Sequence, residues 1–129
     1  MGMEGAFYTS MLDAVSDGVV AFSPDRRIIY CNQAFLDITG LDRSDLEQGL
    51  CAVIQGADTD FQTIARIDEA IAKGTPFEGE ILNYRKSGEA FWNHLSFKPE
   101  TDSSGRLTHF IGISRDVTAN RSTQTRYSQ

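Results

Sequence analysis

Two long runs of β-prone residues joined by a glycine-containing turn constrain the fold of this chain more than any other feature. Glu78–Arg85 and Ala90–Lys98 flank Lys86-Ser87-Gly88, a pattern that predicts a β-hairpin. Side chains along a strand alternate between its two faces, so an even register across the turn defines one shared face. That face carries Ile81, Asn83, Phe91, Asn93, Leu95 and Phe97.

The two asparagines on this otherwise apolar face need hydrogen-bond partners. A buried amide left without one costs roughly 1–3 kcal/mol. Backbone or water partners would make Asn83 and Asn93 ordinary structural residues. The other interpretation is a planar ligand whose edge presents alternating donors and acceptors, as the pyrimidine ring of a flavin does. The residues by themselves favour neither interpretation.

The first half of the chain predicts helices around one short hairpin. An apolar stripe at helical spacing indicates a first helix that ends near Asp17-Gly18. Two short strands, Gly18–Ser23 and Arg27–Cys31, are then predicted around a turn. Asn32 is placed to cap a helix that ends at Gly40. The stripe consists of Phe7, Met11, Leu12 and Val15.

The order of the remaining elements indicates the fold class. Short helical turns are predicted within 42–54, and a strongly periodic helix over 60–73 is closed by Gly74. A third long strand, Leu107–Val117, follows the hairpin. The elements follow the order helix, two strands, helices and three strands. This order predicts an α+β domain, in which an antiparallel sheet has helices on one face. We expect a flanking helix over 1–15, a core over 16–118 and a polar tail or linker helix over 119–129.

Composition argues against several classes of protein. Twelve basic and 18 acidic residues give a net charge of −6, which disfavours a nucleic-acid partner. The sequence predicts no membrane span, and no spacing of Cys and His indicates a metal site. Its two cysteines, Cys31 and Cys51, are too few for a disulfide framework and suggest a cytoplasmic protein.

The second hairpin and the last strand resemble those of light-oxygen-voltage (LOV) photoreceptors of the PAS superfamily. The stretch 82–93, LNYRKSGEAFWN, is similar to the LOV hairpin signature, and 108–118, THFIGISRDVT, is similar to the last LOV strand. Residues 32–40 fit the wider PAS pattern. The resemblance covers roughly residues 15–118. It implies a PAS fold with a five-stranded antiparallel sheet, helices on one face and flanking terminal helices.

The same resemblance implies a bound flavin, FMN, and a photoreactive thiol. LOV domains carry a helix motif of the form Gly-x-Asn-Cys-Arg-Phe-Leu-Gln-Gly, and the corresponding stretch here runs from Gly49 to Gly56, with Leu50 in place of the Asn and Val53 in place of the Phe. By this likeness Cys51 is the thiol that adds reversibly to flavin C4a after blue light, whereas Cys31 is a packing residue. The other flavin contacts implied are Gln55, Asn83, Asn93, Ser114, Val53, Ile54, Phe110, Gly112 and Leu95.

The chain departs from the LOV pattern where the flavin would be held. Ala52 and Asp68 stand where LOV domains place two arginines that grip the flavin phosphate. Two lost charge-assisted hydrogen bonds would weaken FMN binding roughly 10²–10⁴-fold, so riboflavin is the other candidate. Asp68 would add repulsion. Arg66, two positions earlier, is a candidate to compensate, although on a straight helix it faces elsewhere. Ser114 replaces a glutamine that hydrogen-bonds the flavin ring.

Three functions remain as hypotheses. The first is a blue-light sensor whose adduct at Cys51 changes dimer or flanking-helix contacts. The second is a LOV-derived PAS interaction or dimerisation module with lost or weakened flavin binding. The third, a flavin-dependent redox enzyme, is disfavoured because no dinucleotide fingerprint or acid/base pair is present.

The outer face of the sheet is the predicted output surface. If Ser114 faces the ligand, then Ile111 and Ile113 face outward together with Trp92. Exposed apolar residues of this kind mark a partner surface. We therefore expect a homodimer through the outer sheet face and the terminal helices, with an effector domain or partner protein as a further possibility. Arg85, Lys86, Glu89 and His94 are interpreted as exposed strand and turn residues.

Overall fold

A five-stranded antiparallel sheet with helices packed on one face makes up the described part of the chain, residues 2–48, 56 and 58–121 of a computed structural model. The strand order is β2-β1-β5-β4-β3. These features confirm the predicted α+β architecture and order. The elements are α1 Gly2–Asp13, β1 Gly18–Phe22, β2 Ile28–Cys31, α2 Gln33–Thr39, a 3₁₀ helix Asp45–Gln48, α3 Phe61–Lys73, β3 Phe77–Tyr84, β4 Ala90–Thr101 and β5 Leu107–Asp116.

Local capping residues set the bounds of α2 and α3. The side chain of Asn32 accepts a hydrogen bond from the Phe35 N–H, and that of Asp60 accepts one from the Thr63 N–H. Each helix then ends at a glycine in the left-handed region, Gly40 with φ of 73° and Gly74 with φ of 68°. The predicted bounds of both helices are confirmed, because the signals that set them are local.

The register of the second hairpin is the even one that the sequence pattern required. Asn83 lies opposite Phe91, and Ile81 lies opposite Asn93. All six residues of the predicted inner face are buried. Strand β4 runs to Thr101, three residues farther than predicted, past Pro99. Proline is tolerated there because the pairing with β3 has already ended at Phe97.

The core lies between this inner face and helices α2 and α3. Four phenylalanines, one each on β1, β3, β4 and β5, pack with ring centroids 5.2–5.5 Å apart. Each such buried ring contributes about 1.5–3 kcal/mol through removal from water. The helices cover them with Phe35, Leu36, Ile67, Ala70 and Ile71.

Helix α1 is anchored to the domain by its C-terminal end, while its apolar stripe stays exposed. The Asn32 amide nitrogen donates to the Leu12 carbonyl oxygen at 2.9 Å, and the Asp13 carboxylate accepts from the Gln33 N–H at 2.9 Å. Of the predicted stripe only Leu12 is half-buried. The exposed side chains are Phe7 at 62%, Tyr8 at 59%, Met11 at 53% and Val15 at 43%.

Candidate functional site

Three polar side chains meet on the buried inner face of the sheet. Asn83 comes from β3, Asn93 from β4 and Ser114 from β5, and each is at most 3% exposed. Leu95 pairs with Ser114 across β4 and β5, and Ile81 pairs with Asn93 across β3 and β4. Ser114 therefore lies on the inner face, and its role as a flavin contact stays a prediction. We call Asn83, Asn93 and Ser114 the polar triad.

The hydrogen bonds of the polar triad are incomplete. The Asn93 amide nitrogen donates to the Asn83 amide oxygen at 2.9 Å and lies 3.4 Å from the Ser114 hydroxyl oxygen. The Asn83 amide nitrogen reaches the Leu82 carbonyl at 3.4 Å. The Asn93 amide oxygen is buried, and no partner for it occurs among the residues that the structure describes. An external donor would relieve a penalty of roughly 1–3 kcal/mol.

The surroundings of the polar triad are apolar and aromatic. Leu95, Phe91 and Ile81 lie beside it on the same face. Phe110 stacks on Phe22 and meets Phe97 edge-to-face. A methyl group built on Gly112 would lie 3.3 Å from Val20, so this glycine is packed against protein atoms. One polar edge within an apolar setting suits a planar ligand with a polar end.

The predicted thiol motif lies outside the described part of the chain except for its last residue, Gly56. The residues with a predicted role that fall outside are Cys51, Ala52, Val53, Ile54 and Gln55. The other cysteine, Cys31, is buried in the core, as predicted. Burial raises the pKa of the Cys31 thiol, and the nearby Arg43 opposes this only in part. Cys31 is therefore a poor nucleophile.

An ion pair that the sequence did not indicate joins the turn between β1 and β2 to helix α3. The Arg26 guanidinium lies 2.6 Å from the Asp68 carboxylate. The repulsion predicted between Asp68 and a flavin phosphate stays a prediction, and the structure adds that this carboxylate is paired with Arg26. Arg66 faces elsewhere, as predicted, with its guanidinium 5.2 Å from the centre of the Phe77 ring. Arg26 and Asp68 are 42 positions apart in the sequence, so no local sequence pattern could have predicted their pairing.

Arg85 is half-buried, contrary to the prediction of an exposed turn residue. Its guanidinium donates to the Ile38 carbonyl and pairs with Asp116 at 2.7 Å. Partial burial raises the pKa of Asp116, but hydrogen bonds from Arg85 and Thr118 outweigh it and hold the pKa below its ordinary value. Arg85 thereby ties the end of α2 to the end of β5.

The outer face of the sheet carries the start of a C-terminal helical turn. The Arg121 guanidinium lies 3.6 Å from the centre of the Trp92 ring and pairs with Glu80. The backbone N–H of Trp92 donates to the Thr118 hydroxyl at 2.8 Å. Trp92 is therefore partly covered rather than open. Strands β4 and β5 also form a groove of about 370 Å³, lined by Ser96, Phe97, Lys98, Ile111 and Ile113.

Two features bear on membranes and metals. Among the described helices none is long and apolar enough to cross a membrane. Within 2–48, 56 and 58–121, His, Cys, Asp and Glu side chains do not gather into a group that could hold a metal ion. The outward-facing His94 contacts Glu78 at 3.0 Å instead.

The chain is similar to the PAS domain family and to segments of two blue-light receptor proteins. The profile of the PAS domain family matches residues 16–119. A blue-light-activated histidine kinase of Brucella ovis is 42% identical over 95 residues, which cover 74% of this chain and 19% of the kinase. Phototropin-2 of Oryza sativa subsp. japonica is 39% identical over 97 residues, 75% of this chain and 11% of the phototropin. The chain thus spans about a fifth or less of these relatives.

A solved structure shares the fold over the whole chain. It is described as an RNA-binding light-oxygen-voltage receptor, and it superposes with a TM-score of 0.87 at 28% sequence identity. The match covers 100% of this chain and 37% of that receptor.

Proposed function

The chain belongs to the PAS domain family, and from this premise we propose that it is a blue-light sensing module that binds a flavin on the inner face of its sheet. The observation that carries the proposal is the buried amide oxygen of Asn93 beside Asn83, for which the described residues provide no hydrogen-bond partner. Similarity to a blue-light-activated histidine kinase and to phototropin-2 supports the same function.

The polar triad fits the polar edge of a flavin. A ring N–H would supply the donor that the Asn93 amide oxygen lacks, and the second asparagine amide would bond to a neighbouring ring carbonyl. Leu95 and the aromatic residues of the inner face would contact the apolar part of the ring. When bound, the flavin would supply absorption of blue light and an electron-poor C4a–N5 bond.

Cys51 is the proposed reacting residue. Cys51 would supply the thiol sulfur and its proton to a flavin held on the inner face, and the bound flavin would supply the electron-poor C4a–N5 bond that takes both up reversibly after blue light. Gln55 and Ser114 are proposed to hydrogen-bond the ring near N5, with Ser114 acting through a water because its side chain is short. Val53 and Ile54 are proposed to line the thiol side.

The flavin is FMN or riboflavin, which differ by a phosphate. Ala52 offers no cation, and Asp68 holds Arg26 in an ion pair. Phosphate binding would require Arg26 to leave Asp68 or to bind both anions. The ion pair therefore favours riboflavin relative to FMN.

An absorption spectrum before and after a blue pulse tests the proposal, with identification of the released chromophore. A flavin band that bleaches and recovers supports it, and Cys51→Ala should then retain flavin but lose bleaching. Cys31→Ala serves as the matched control and should still bleach. A flavin band that does not change after the blue pulse would support flavin binding and refute the proposed chemistry of the Cys51 thiol.

A flavin-free PAS interaction module is the second candidate function. The hydrogen bond within the polar triad, between Asn93 and Asn83, favours it, because these amides already satisfy each other in part. Protein that is colourless and does not take up added FMN or riboflavin would establish this alternative.

We also propose that the domain forms a homodimer through α1 and the outer sheet face. The exposed stripe of α1 has no cover within the described chain, and the groove beside Ile111 and Ile113 offers an apolar surface. Met11→Asp should shift the molecular mass in light scattering from dimer to monomer, whereas Thr9→Asp on the same helix should not. A cytoplasmic location and an effector joined to the domain are further proposals, since the relatives are much longer.

A further inference from the structure

Strand β3 lies at the edge of the sheet, and part of its backbone faces away from the other strands. Successive residues of an antiparallel strand direct their N–H and C=O groups to opposite sides. The Arg85 N–H donates to the Glu89 carbonyl oxygen across the hairpin at 2.8 Å, so the odd-numbered residues that precede Arg85 bond to β4. The backbone groups of Glu78 and Glu80 therefore point to the free edge.

The free edge of β3 is covered at one end and open at the other. The Leu82 carbonyl oxygen, which the same alternation directs outward, accepts a hydrogen bond from the Thr59 hydroxyl at 2.7 Å. Within the described part of the chain, nothing bonds to the backbone of Glu78 or Glu80 on this side. Two N–H and two C=O groups thus stand unpaired at the spacing that a further strand would need. We call this stretch, 78–80, the open edge.

The charged side chains of the open edge are held over the outer face of the sheet. Charged residues commonly protect an edge strand by standing across it. Here the Glu78 carboxylate contacts Nε2 of His94 at 3.0 Å, and the Glu80 carboxylate pairs with Arg121. Both contacts draw the carboxylates towards β4 and the C-terminal turn. The backbone of the open edge is therefore left without this protection.

A groove of about 400 Å³ lies beside the open edge, between helix α3 and the start of β3. Arg66 and Lys73 line its helix side, and Pro76 and Phe77 line its strand side. Lys73 is paired with Glu69 at 2.7 Å. The Arg66 guanidinium lies over the Phe77 ring and forms no ion pair with any described residue. A cation on the inner side of the open edge is thus free to bind a carboxylate.

We propose that the open edge and its groove bind an extended segment of a partner protein as an added strand, with an acidic side chain of that segment on Arg66. Strand addition takes its affinity from main-chain hydrogen bonds and its specificity from alternate side chains. The outward residues of the added strand would lie beside Glu78 and Glu80 and would be neutral or basic. A second copy of β3 fits less well, because antiparallel pairing of two such edges would bring their glutamates together. This binding does not depend on flavin.

Fluorescence polarisation of the full chain with a positional-scanning library of acetylated, amidated octapeptides tests the side-chain part of the proposal. Threonine and valine fill the background, and one position at a time carries Asp, Ala or Lys. We expect one position to favour Asp, and its replacement by Lys to weaken binding about tenfold. Arg66→Glu should reverse this preference. Arg106→Glu makes the same change in net charge on the exposed β4–β5 turn and should not.

Exchange of backbone amides with solvent, followed by NMR, tests the main-chain part. In the free protein the N–H groups of Glu78 and Glu80 should exchange fast, and those of Gly79 and Ile81 slowly. Bound peptide should slow the first two about tenfold or more. Glu80→Pro deletes an N–H of the open edge but no bond to β4, so it should weaken the peptide about tenfold, whereas Glu80→Ala should not. N-methylation of alternate peptide amides tests the same bonds with the wild-type protein.

Three results would overturn the inference. The first is the lack of any library peptide that binds with a Kd below about 1 mM. The second is an equal affinity for the Asp and Lys peptides in both the wild type and Arg66→Glu. The third is protection of the Glu78 and Glu80 amides in the free protein. Protection that grows with protein concentration would assign the open edge to a second copy of the chain instead.

Discussion

Replacing both asparagines of the polar triad by valine should stabilise the flavin-free protein and abolish flavin binding. Asn83 and Asn93 are 1% and 3% exposed, and the Asn93 amide oxygen has no described partner. That unpaired oxygen costs roughly 1–3 kcal/mol, while the hydrogen bond between the two amides returns only about 1 kcal/mol. Substitution by valine removes both the cost of the unpaired oxygen and the gain from the hydrogen bond. Valine also favours β-strands and is not much larger than asparagine.

The expected net gain is roughly 0–2 kcal/mol, or a rise in Tm of up to about 8 °C for a domain of this size. Added flavin should have the opposite effect, because it should stabilise only the wild type. At a concentration near 100 Kd it should stabilise the wild type by about 2.7 kcal/mol, and it should leave the double variant unchanged. The assay is thermal unfolding by circular dichroism with and without flavin, together with quenching of flavin fluorescence on titration. Ser96→Val, on the outer face of β4, is the matched control for the effect of a β-branched residue.

The reasoning would be refuted by a flavin-free double variant that unfolds at a lower temperature than the wild type in the absence of aggregation. That result would mean that the amides satisfy each other fully. Retention of wild-type flavin affinity by the double variant would refute the site itself.

Three further predictions concern the charged contacts. Asp68→Arg removes the partner of Arg26 and adds a cation, so the affinity for FMN relative to riboflavin should rise about 10–100-fold in paired titrations. The lowered pKa of Asp116 means that its contribution to stability is present above the ordinary value of 3.8 and is lost as the pH falls through the lower folded-state pKa. Asp116→Asn should therefore lack this acid-dependent part of the stability curve. Arg121→Ala should uncover the ring of Trp92, the single tryptophan of the chain, and shift its emission to longer wavelength in flavin-free protein.

Each of these predictions has its own control. An equal rise in affinity for both flavins after Asp68→Arg would mean that the ion pair does not select on phosphate. The carboxyl resonance of Asp116 should titrate below that of a model peptide, and titration at the ordinary value would contradict the role of Arg85. Arg115→Ala removes a charge from β5 whose partner is Asp17, and it should leave the tryptophan emission unchanged.

Local and periodic features were determined by the sequence itself. The caps at Asn32 and Gly74, the alternation along β4 and the turn glycine at Gly88 act over a few residues, so each predicts its element without reference to the rest. The inward face of the second hairpin followed in the same way, because a period of two leaves only one register that buries the apolar residues.

Contacts between distant segments were decided only by the tertiary structure. The pairing of Arg26 with Asp68, the approach of Gly56 to Tyr84 and the cover of Trp92 join residues far apart in the chain. Neither partner of such a contact carries a local signal, since a surface charge or a glycine occurs for many reasons. The apolar stripe of α1 shows the same limit: its periodicity predicted a helix, but only the packing of the domain decided that the stripe faces outward.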